Sequence, residues 1–358
     1  MSERPASGTV LPTFRALADL LQAARPASKG RRRAMILLTG YGGHEQMLLR
    51  HMAADPATEW DIVAAAEEPT HLARLSQALP SNVRLSDTVL LPAYPSLLGT
   101  ALVRATLSAR RFLGREIGEF DLVSAGDIGN FAYLTAMVRL SAARPPITYV
   151  PMPPRQRNRA TQLGRWAATR LATISPTEAA GFGPPADYVL RNMAPGHLSR
   201  LQSEGLDDGH LNLYWIGRLE RNQKCPERAL AILALLHARG LAHAVLHFVG
   251  DGEERSALQA RVREHSPQGA VCFWGWVDFE AETLPPLPRM HALLNTSNFE
   301  GIPLTLLDAL DIGIPCLVRE GAISDPELAA QVVGWRTEHE AADWIADHCA
   351  PVEAARHG

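Results

Sequence analysis

Short apolar runs, in which hydrophobic residues do not alternate with polar ones, recur along the chain at intervals that leave room for a helix. Runs of this kind indicate strands buried on both faces, and such strands form parallel sheets covered by helices on either side. In the first half of the chain they occupy residues 34–40, 60–66, 120–126 and 147–152. The first half is therefore predicted to be a doubly wound α/β domain.

The second half of the chain repeats this design. Residues 227–239 keep Ala and Leu at a helical period between the first two apolar runs of a new series. A chain of 358 residues also exceeds the size at which one core usually stops growing, which is about 250–300 residues. Two Rossmann-like doubly wound domains are therefore predicted. The second series of runs occupies residues 213–217, 244–250, 271–277, 292–296 and 315–318.

A stretch rich in Gly, Pro and polar residues, 181–210, separates the two series of runs. Such sequence is typical of a domain boundary, and we place the hinge near residues 195–209. The predicted organisation is a basic N-terminal extension at 1–33, a first Rossmann-like domain at 34–200 and a second at 201–358.

Composition narrows the class of protein. The apolar share of 46% and the charged share of 20% are typical of a globular protein, and a net charge of -3 does not favour nucleic-acid binding. No apolar run has the length of a membrane span, and the N-terminus lacks the pattern of a signal peptide, so a cytoplasmic location is predicted. The four cysteines form no CxxC pair, which predicts neither a disulfide framework nor a zinc site.

Two basic segments leave peripheral membrane contact open. Residues 1–33 carry seven basic residues against two acidic ones, and residues 98–117 have the pattern of a basic amphipathic helix. A solvated tail is the alternative for the first segment. A helix that packs on the core and has one solvent-exposed face is the alternative for the second.

Ligands of open α/β sheets bind beyond the carboxyl ends of the strands. Arg218 follows the run 213–217, and Lys224 comes a short loop later, so the two cations would form a clamp on a diphosphate. A pair of solvated surface cations is the alternative. Gly252 follows the run 244–250 and indicates either a tight turn or a close approach of the backbone to a ligand.

The third candidate place follows the run 292–296. Pro303 suits the first turn of a helix and Gly313 its C-terminal end, which predicts a helix from about residue 302 to residue 311. Its free N–H groups would form an anion site. Glu300 precedes this helix and Asp308 lies two turns further, so that one carboxylate would meet a sugar and the other a ribose. A helix-start acid and a solvated carboxylate are the alternatives.

Taken together, residues 213–318 resemble the C-terminal domain of glycosyltransferase family 4, a group of retaining enzymes with the GT-B architecture. The resemblance rests on Gly217-Arg218-Leu219 up to Lys224, on the turn at 248–253, on the strand at 273–277, and on Glu300 and Asp308 followed by Gly313-Ile314-Pro315. The family normally has glutamate at the position of Asp308.

The resemblance implies a donor site for a nucleotide diphosphate sugar. Arg218 and Lys224 would bind the diphosphate, Glu300 the sugar hydroxyls and Asp308 the ribose, while Gly252 and Val277 belong to two further parts of the match. The backbone around the helix start would contact the phosphates and the sugar, through Gly301, Ile302, Pro303, Leu304 and Thr305.

The first domain would bind the acceptor and face the second across a cleft. Gly42 and Gly43 resemble the family's glycine-containing loop under the donor phosphates, with a plain strand-to-helix turn as the alternative. Where many family members have a histidine, this chain has Asp127 and Asn130 instead. Arg155 and Arg157 begin a basic stretch that would bind a phosphate on a small-molecule, saccharide or lipid-linked acceptor, unless it is solvated surface.

The predicted function is that of a retaining, metal-independent hexosyltransferase in bacterial glycan, glycolipid or secondary-metabolite glycoside synthesis. The nucleotide sugar is its co-substrate, and no cofactor is implied. Arg218, Lys224 and Glu300 are the predicted catalytic residues. Arg218, Lys224 and the helix start at Gly301 would lower the barrier by stabilising the leaving diphosphate. A catalytically silent donor-binding subunit and a nucleotide-sugar epimerase of the same fold are the alternatives.

Overall fold

The computed structural model describes residues 10–11, 31–38, 43–54, 56–66, 69–77, 79–90, 122–125, 148–149, 166, 170–173, 188–190, 192, 194–279 and 283–349. The chain divides into two compact units, Met1–Met193 and Ala194–Gly358. This division falls slightly before the predicted boundary at 200/201, because Leu198 and Leu201 belong to a hydrophobic cluster of the second unit.

The described strands of the first unit form two parallel four-stranded sheets. The strands β4, β3, β2 and β5 form one sheet in that order, and β1, β8, β7 and β6 form the other. The strands are β1 (Val10–Leu11), β2 (Arg31–Leu38), β3 (Glu59–Ala66), β4 (Val83–Leu90), β5 (Leu122–Ala125), β6 (Thr148–Tyr149), β7 (Arg170–Thr173) and β8 (Tyr188–Leu190). The described helices of this unit are α1 (Gly43–Ala53) and α2 (Pro69–Gln77).

Part of the predicted N-terminal extension is sheet. Residues 10–11 form β1, and the basic triplet 31–33 is the beginning of β2, paired with β3. Arg31 lies opposite Glu59 in this register and Arg33 opposite Asp61. The triplet is therefore strand rather than solvated tail.

The second unit is one six-stranded parallel sheet with the order β11, β10, β9, β12, β13 and β14. The strand order reverses between β9 and β12, which makes the gap between their carboxyl ends the topological switch point of the sheet. The strands are β9 (Leu211–Ile216), β10 (Ala244–Val249), β11 (Val271–Gly275), β12 (Ala292–Asn295), β13 (Cys316–Arg319) and β14 (Val333–Trp335). The helices are α3 (His197–Glu204), α4 (Glu227–Ala238), α5 (Arg255–His265), α6 (Leu304–Asp311), α7 (Pro326–Ala329) and α8 (Glu338–His348).

Helices cover both faces of this sheet. Leu213 and Trp215 of β9 pack in one hydrophobic cluster with residues of α4 and α8, whereas Tyr214 packs in a second cluster with residues of α3 and α6. Successive strand residues point to opposite faces, so both sets of β9 side chains are buried. This is the arrangement that the unalternating apolar runs predict.

One buried polar network crosses the strands β9, β10 and β11. The indole N–H of Trp274 donates to Nδ1 of His247 over 3.0 Å. Since an indole nitrogen only donates, the proton of the neutral imidazole lies on Nε2, which donates to Oδ1 of Asn212 over 2.9 Å. The amide of Asn212 donates in turn to Asp208 over 2.9 Å. Burial lowers the pKa of His247 to about 4, so this histidine is neutral near pH 7.

Candidate active site

The carboxyl ends of β9 and β12 lie side by side, because these two parallel strands pair directly in the sheet. The segment after β9 carries Arg218 and Lys224, and the segment after β12 carries Ser297 and Glu300. Both segments therefore meet at the switch point, where doubly wound sheets bind their ligands.

Lys224 and Glu300 form an ion pair at this place. The ammonium Nζ lies 2.5 Å from Oε1 of the carboxylate, and the side chains are 22% and 7% exposed. The hydroxyl of Ser297 donates to the same oxygen over 2.6 Å. Among the described residues, none forms a hydrogen bond with the other carboxylate oxygen, Oε2. The pair thus has one oxygen held by two donors and one available to a ligand.

The backbone around Glu300 is held from two sides. Its N–H donates to the carbonyl of Ala322 over 2.7 Å, in a bridge to the segment that follows β13. On the other side, the N–H of Asn298 donates to the carbonyl of Gln223 over 2.7 Å, and the side-chain amide of Gln223 donates to Phe299 over 3.2 Å. The loop that carries Lys224 and the loop that carries Glu300 are therefore joined by hydrogen bonds.

Glu220 holds the turn that leads to Lys224. Its carboxylate accepts hydrogen bonds from the N–H groups of Asn222 and Gln223, at 2.5 and 2.9 Å. Partial burial raises the pKa of this carboxyl, but the backbone donors Gln223 and Asn222 outweigh it, and the pKa lies below its ordinary value. The sequence motif therefore contains a loop-forming acid between its two predicted phosphate ligands.

Arg218 lies at the same edge of the sheet, directly after β9. Its side chain is exposed and forms no hydrogen bond or ion pair within the described part of the chain. The structure thus joins Lys224 to Glu300 by direct contact and leaves Arg218 as a separate cation beside them.

The predicted helix is α6, which begins two residues later than expected, at Leu304. Pro303 is its N-cap and the first turn contains no acidic side chain. The N–H groups of Leu304 and Thr305 belong to the first helical turn, where backbone donors have no partner within the helix. No carboxylate in the first turn of α6 competes for these amides, and the helix dipole adds positive potential at this end of α6.

The structure contradicts the predicted role of Asp308 as a ribose ligand. The residue is 1% exposed, and its two oxygens accept hydrogen bonds from the N–H of Gly196 at 2.5 Å and of Leu198 at 2.9 Å. Those two N–H groups lie at the start of α3, so Asp308 caps a neighbouring helix. A carboxylate that is buried and engaged in this way is not available to a ribose, and the predicted ribose contact is wrong.

Gly252 and Val277 lie in two loops of the second unit. A Cβ atom at Gly252 would overlap the backbone carbonyl of Leu219, so the missing side chain is explained by the close packing of the loops after β9 and β10. Val277 is half-buried and packs against the hydrophobic cluster that includes Tyr214. The predicted donor contacts of these two residues stay predictions.

The remaining predicted residues lie in the first unit. Gly43 is the first residue of α1, which follows β2. Gly42, Asp127, Asn130, Arg155 and Arg157 lie outside the described residues, as does the predicted amphipathic helix at 98–117.

Sequence reasoning assigned no role to Ser297 or to the neighbouring Thr296. Both are buried, at 2% and 0% exposure, and both form side-chain hydrogen bonds to the candidate site. Small hydroxyl residues after a strand are common in turns, so their type carried no signal. Only the pairing of β9 with β12 brings them to Lys224.

Within the described ranges, no helix has the length and apolar composition needed to cross a membrane. No group of three or more His, Cys, Asp or Glu side chains that could hold a metal ion occurs in that same part of the chain.

Comparison with known proteins defines the class to which the second unit corresponds. Residues 210–350 match the sequence model of the family described as "Glycosyl transferases group 1". The lipopolysaccharide 1,6-galactosyltransferase of Escherichia coli is 41% identical over 82 residues, which is 23% of this chain and 23% of that protein. The similarity thus spans about a quarter of the length of this curated relative.

Solved structures extend the likeness to both units. The lipopolysaccharide outer core galactosyltransferase WaaB in its apo form has a TM-score of 0.57 at 19% identity, covering 91% of this chain and 90% of its own. Anabaena Alr3699/HepE in complex with UDP has a TM-score of 0.61 at 16% identity, covering 91% of both chains. These similarities confirm the predicted GT-B fold class.

Proposed function

We propose that this protein is a glycosyltransferase that moves a sugar from a nucleoside diphosphate to an acceptor in bacterial glycan synthesis. The observation that carries the proposal is the Lys224–Glu300 pair at the switch point, 2.5 Å apart, beside the start of α6. A cation, open amides and a carboxylate with one available oxygen are the groups needed to bind a diphosphate and a sugar together. The match of residues 210–350 to glycosyl transferases group 1 supports the same conclusion.

Each group has a distinct role in the proposed reaction. The bond between the anomeric carbon and the diphosphate breaks, the acceptor hydroxyl oxygen forms the new bond to that carbon, and its proton leaves with the phosphate oxygen or to water. Lys224, Arg218 and the first amides of α6 stabilise the negative charge that develops on the leaving diphosphate. Oε2 of Glu300 accepts a hydrogen bond from a sugar hydroxyl.

We further propose that the enzyme belongs to family 4 and retains the anomeric configuration. In this proposal Lys224 and Arg218 supply the positive charge at the diphosphate, so that turnover requires no metal ion. UDP is the proposed nucleotide, since one structural relative is described in complex with UDP. A saccharide or lipid-linked acceptor, reached at the cytoplasmic face of the membrane, is supported by the lipopolysaccharide galactosyltransferase among the relatives.

The composition of the chain provides a direct test. It contains two lysines, Lys29 and Lys224. An amine-acylating reagent followed by peptide mapping should label both, and UDP should protect Lys224 while Lys29 serves as the internal control. Equal labelling of Lys224 with and without saturating UDP would show that its ammonium group does not bind the diphosphate.

Turnover provides the second part of the test. The purified chain should slowly release UDP from UDP-galactose, and Lys224→Ala should lower this rate about a hundredfold, as the loss of one charge-stabilising donor does in other active sites. Lys224→Arg keeps the charge but not the compact ammonium and should recover part of the rate. If Lys224→Ala lowers acceptor binding as much as the rate, Lys224 does not act on the leaving group. Binding of UDP-galactose without any release of UDP would instead favour a catalytically silent donor-binding subunit, and conversion of the bound sugar into its epimer would favour an epimerase.

A further inference from the structure

The two residues that follow β12, Thr296 and Ser297, lie between the loop of Lys224 and the carboxylate of Glu300. The Thr296 hydroxyl accepts a hydrogen bond from the indole N–H of Trp215 over 2.9 Å. Its own proton is therefore directed to the opposite side, where the carbonyls of Lys224 and Cys225 lie at 2.8 and 2.9 Å. Thr296 thus fixes the end of the Lys224 loop to the neighbouring strand.

This attachment stabilises an uncommon backbone conformation. Cys225 has a φ angle of 47°. Among the described residues, it is the one non-glycine residue with a positive φ angle. Such a conformation persists only where surrounding contacts hold it. The carbonyl of Thr296 also accepts a hydrogen bond from the guanidinium of Arg228 over 2.9 Å, which ties the same strand end to α4. Ser297, the next residue, is therefore placed on a rigid support.

From this support the Ser297 hydroxyl reaches Glu300. It donates to Oε1 over 2.6 Å, and Lys224 occupies the same oxygen at 2.5 Å. An ionised carboxylate only accepts, so two donors that converge on one oxygen restrict its rotation and leave Oε2 facing away from them. With Lys224 alone, a flexible ammonium on a long side chain would not fix that orientation.

We infer that Ser297 is a positioning residue of the proposed donor site, which orients the Glu300 carboxylate so that Oε2 binds the sugar of the nucleotide sugar. The inference rests on the proposed function. The inference predicts an effect on sugar binding but not on nucleotide binding. Ser297 acts on the group that contacts the sugar and not on the groups that contact the diphosphate.

Ser297→Ala tests the inference through two affinities measured by calorimetry. The dissociation constant of UDP-galactose should rise about tenfold, which corresponds to the loss of one hydrogen bond to a charged group. The dissociation constant of UDP, which has no sugar, should stay within about twofold. Removing this hydroxyl leaves no buried acceptor without a donor, because Oε1 of Glu300 keeps its hydrogen bond from Lys224, so the variant should fold normally.

Glu300→Gln and the double variant supply the decisive control. If Ser297 acts through Glu300, adding Ser297→Ala to Glu300→Gln should change the UDP-galactose affinity by less than about twofold. Ser256→Ala, which removes an exposed hydroxyl on α5, should leave both affinities unchanged.

Three results would overturn the inference: unchanged affinity of Ser297→Ala for UDP-galactose, equal loss for UDP and UDP-galactose, or additive effects in the double variant. Failure of the proposed function gives a different result, in which the unaltered chain binds neither UDP nor UDP-galactose. That result would remove both proposals together.

Discussion

Glu300 and Asp308 carry the same functional group, and the fold gives them different environments. Glu300 sits at the carboxyl edge of the sheet with one oxygen held and one available. Asp308, two turns into the following helix, is buried and accepts from the first amides of α3. The motif assigned a sugar contact to Glu300, which stays a prediction, and it misassigned Asp308, because the sequence does not indicate which neighbouring helix start lies against α6.

The buried role of Asp308 can be measured. Asp308→Ala leaves the N–H groups of Gly196 and Leu198 without their acceptor, the second of them buried, and should lower the free energy of unfolding by about 1–3 kcal/mol, as measured by urea denaturation. Asp308→Asn keeps one acceptor oxygen and should lose roughly half of that. UDP affinity of the folded Asp308→Asn variant should equal that of the unaltered chain. Weaker UDP binding with full stability would restore the ribose role.

At the scale of elements, apolar runs identified nine of the described strands and missed others. β2, β3, β5, β6, β9, β10, β11, β12 and β13 overlap the predicted runs. β4 was missed because Arg84, Ser86 and Asp87 interrupt its apolar residues, and among the described strands it lies at the edge of its sheet. Strand prediction from apolar runs therefore depends on an uninterrupted apolar sequence, and it found edge strands such as β11 as well.

The C-terminal end of α6 was predicted from local sequence alone. Gly313 has a φ angle of 73°, its N–H donates to the carbonyl of Leu310, and the N–H of Ile314 donates to that of Ala309. This pair of bonds is the Schellman motif, which satisfies the last carbonyls of a helix and requires a left-handed residue. The prediction that Gly313 ends the helix is confirmed.

Gly313→Ala should therefore lower the free energy of unfolding by about 1 kcal/mol, the cost of a left-handed conformation for a residue with a Cβ. The added methyl group meets no atom within 4 Å, so the backbone alone would account for the loss. Gly313→Asn should lose less, since asparagine tolerates this conformation. Thermal and urea unfolding of the two variants give the comparison, and equal losses would point to a steric cause instead.

At the scale of the whole molecule, each of the two units is a parallel α/β structure with its own buried residues. In the second unit the His247 network links three strands of one sheet through side chains rather than through the ladder. Because this histidine is buried in its neutral form, the network makes the stability of the unit depend on pH.

The direction of that dependence follows from the lowered pKa. At pH values more than about one unit above 6.5, His247 is neutral in both the folded and the unfolded chain and contributes no pH dependence. As the pH falls from about 6.5 towards 4, the unfolded chain takes up a proton that the folded chain does not, and stability decreases by on the order of 3 kcal/mol. Stability is therefore expected to be retained at neutral pH and lost on acidification.

Urea denaturation at pH 7 and pH 4.5 checks this expectation. His247→Gln keeps an acceptor and a donor but cannot take up a proton, so the difference in stability between the two pH values should shrink. His265→Gln, at an exposed position of α5, should leave that difference unchanged. An equal pH dependence of the His247→Gln variant and the unaltered chain would assign the effect to other groups.

The sequence by itself determined the α/β class, the two-part organisation and the end of α6, and it placed Arg218, Lys224 and Glu300 after two strands, because each rests on local pattern or on the rule that parallel strands present ligands at their carboxyl ends. The ion pair of Lys224 with Glu300 was not predicted from the sequence. Only the tertiary structure decided that Asp308 caps α3, that Gly252 packs on Leu219 and that Thr296 and Ser297 support the site. Those roles depend on which groups from distant parts of the chain come within hydrogen-bond distance, and residue type and spacing along one segment do not encode that distance.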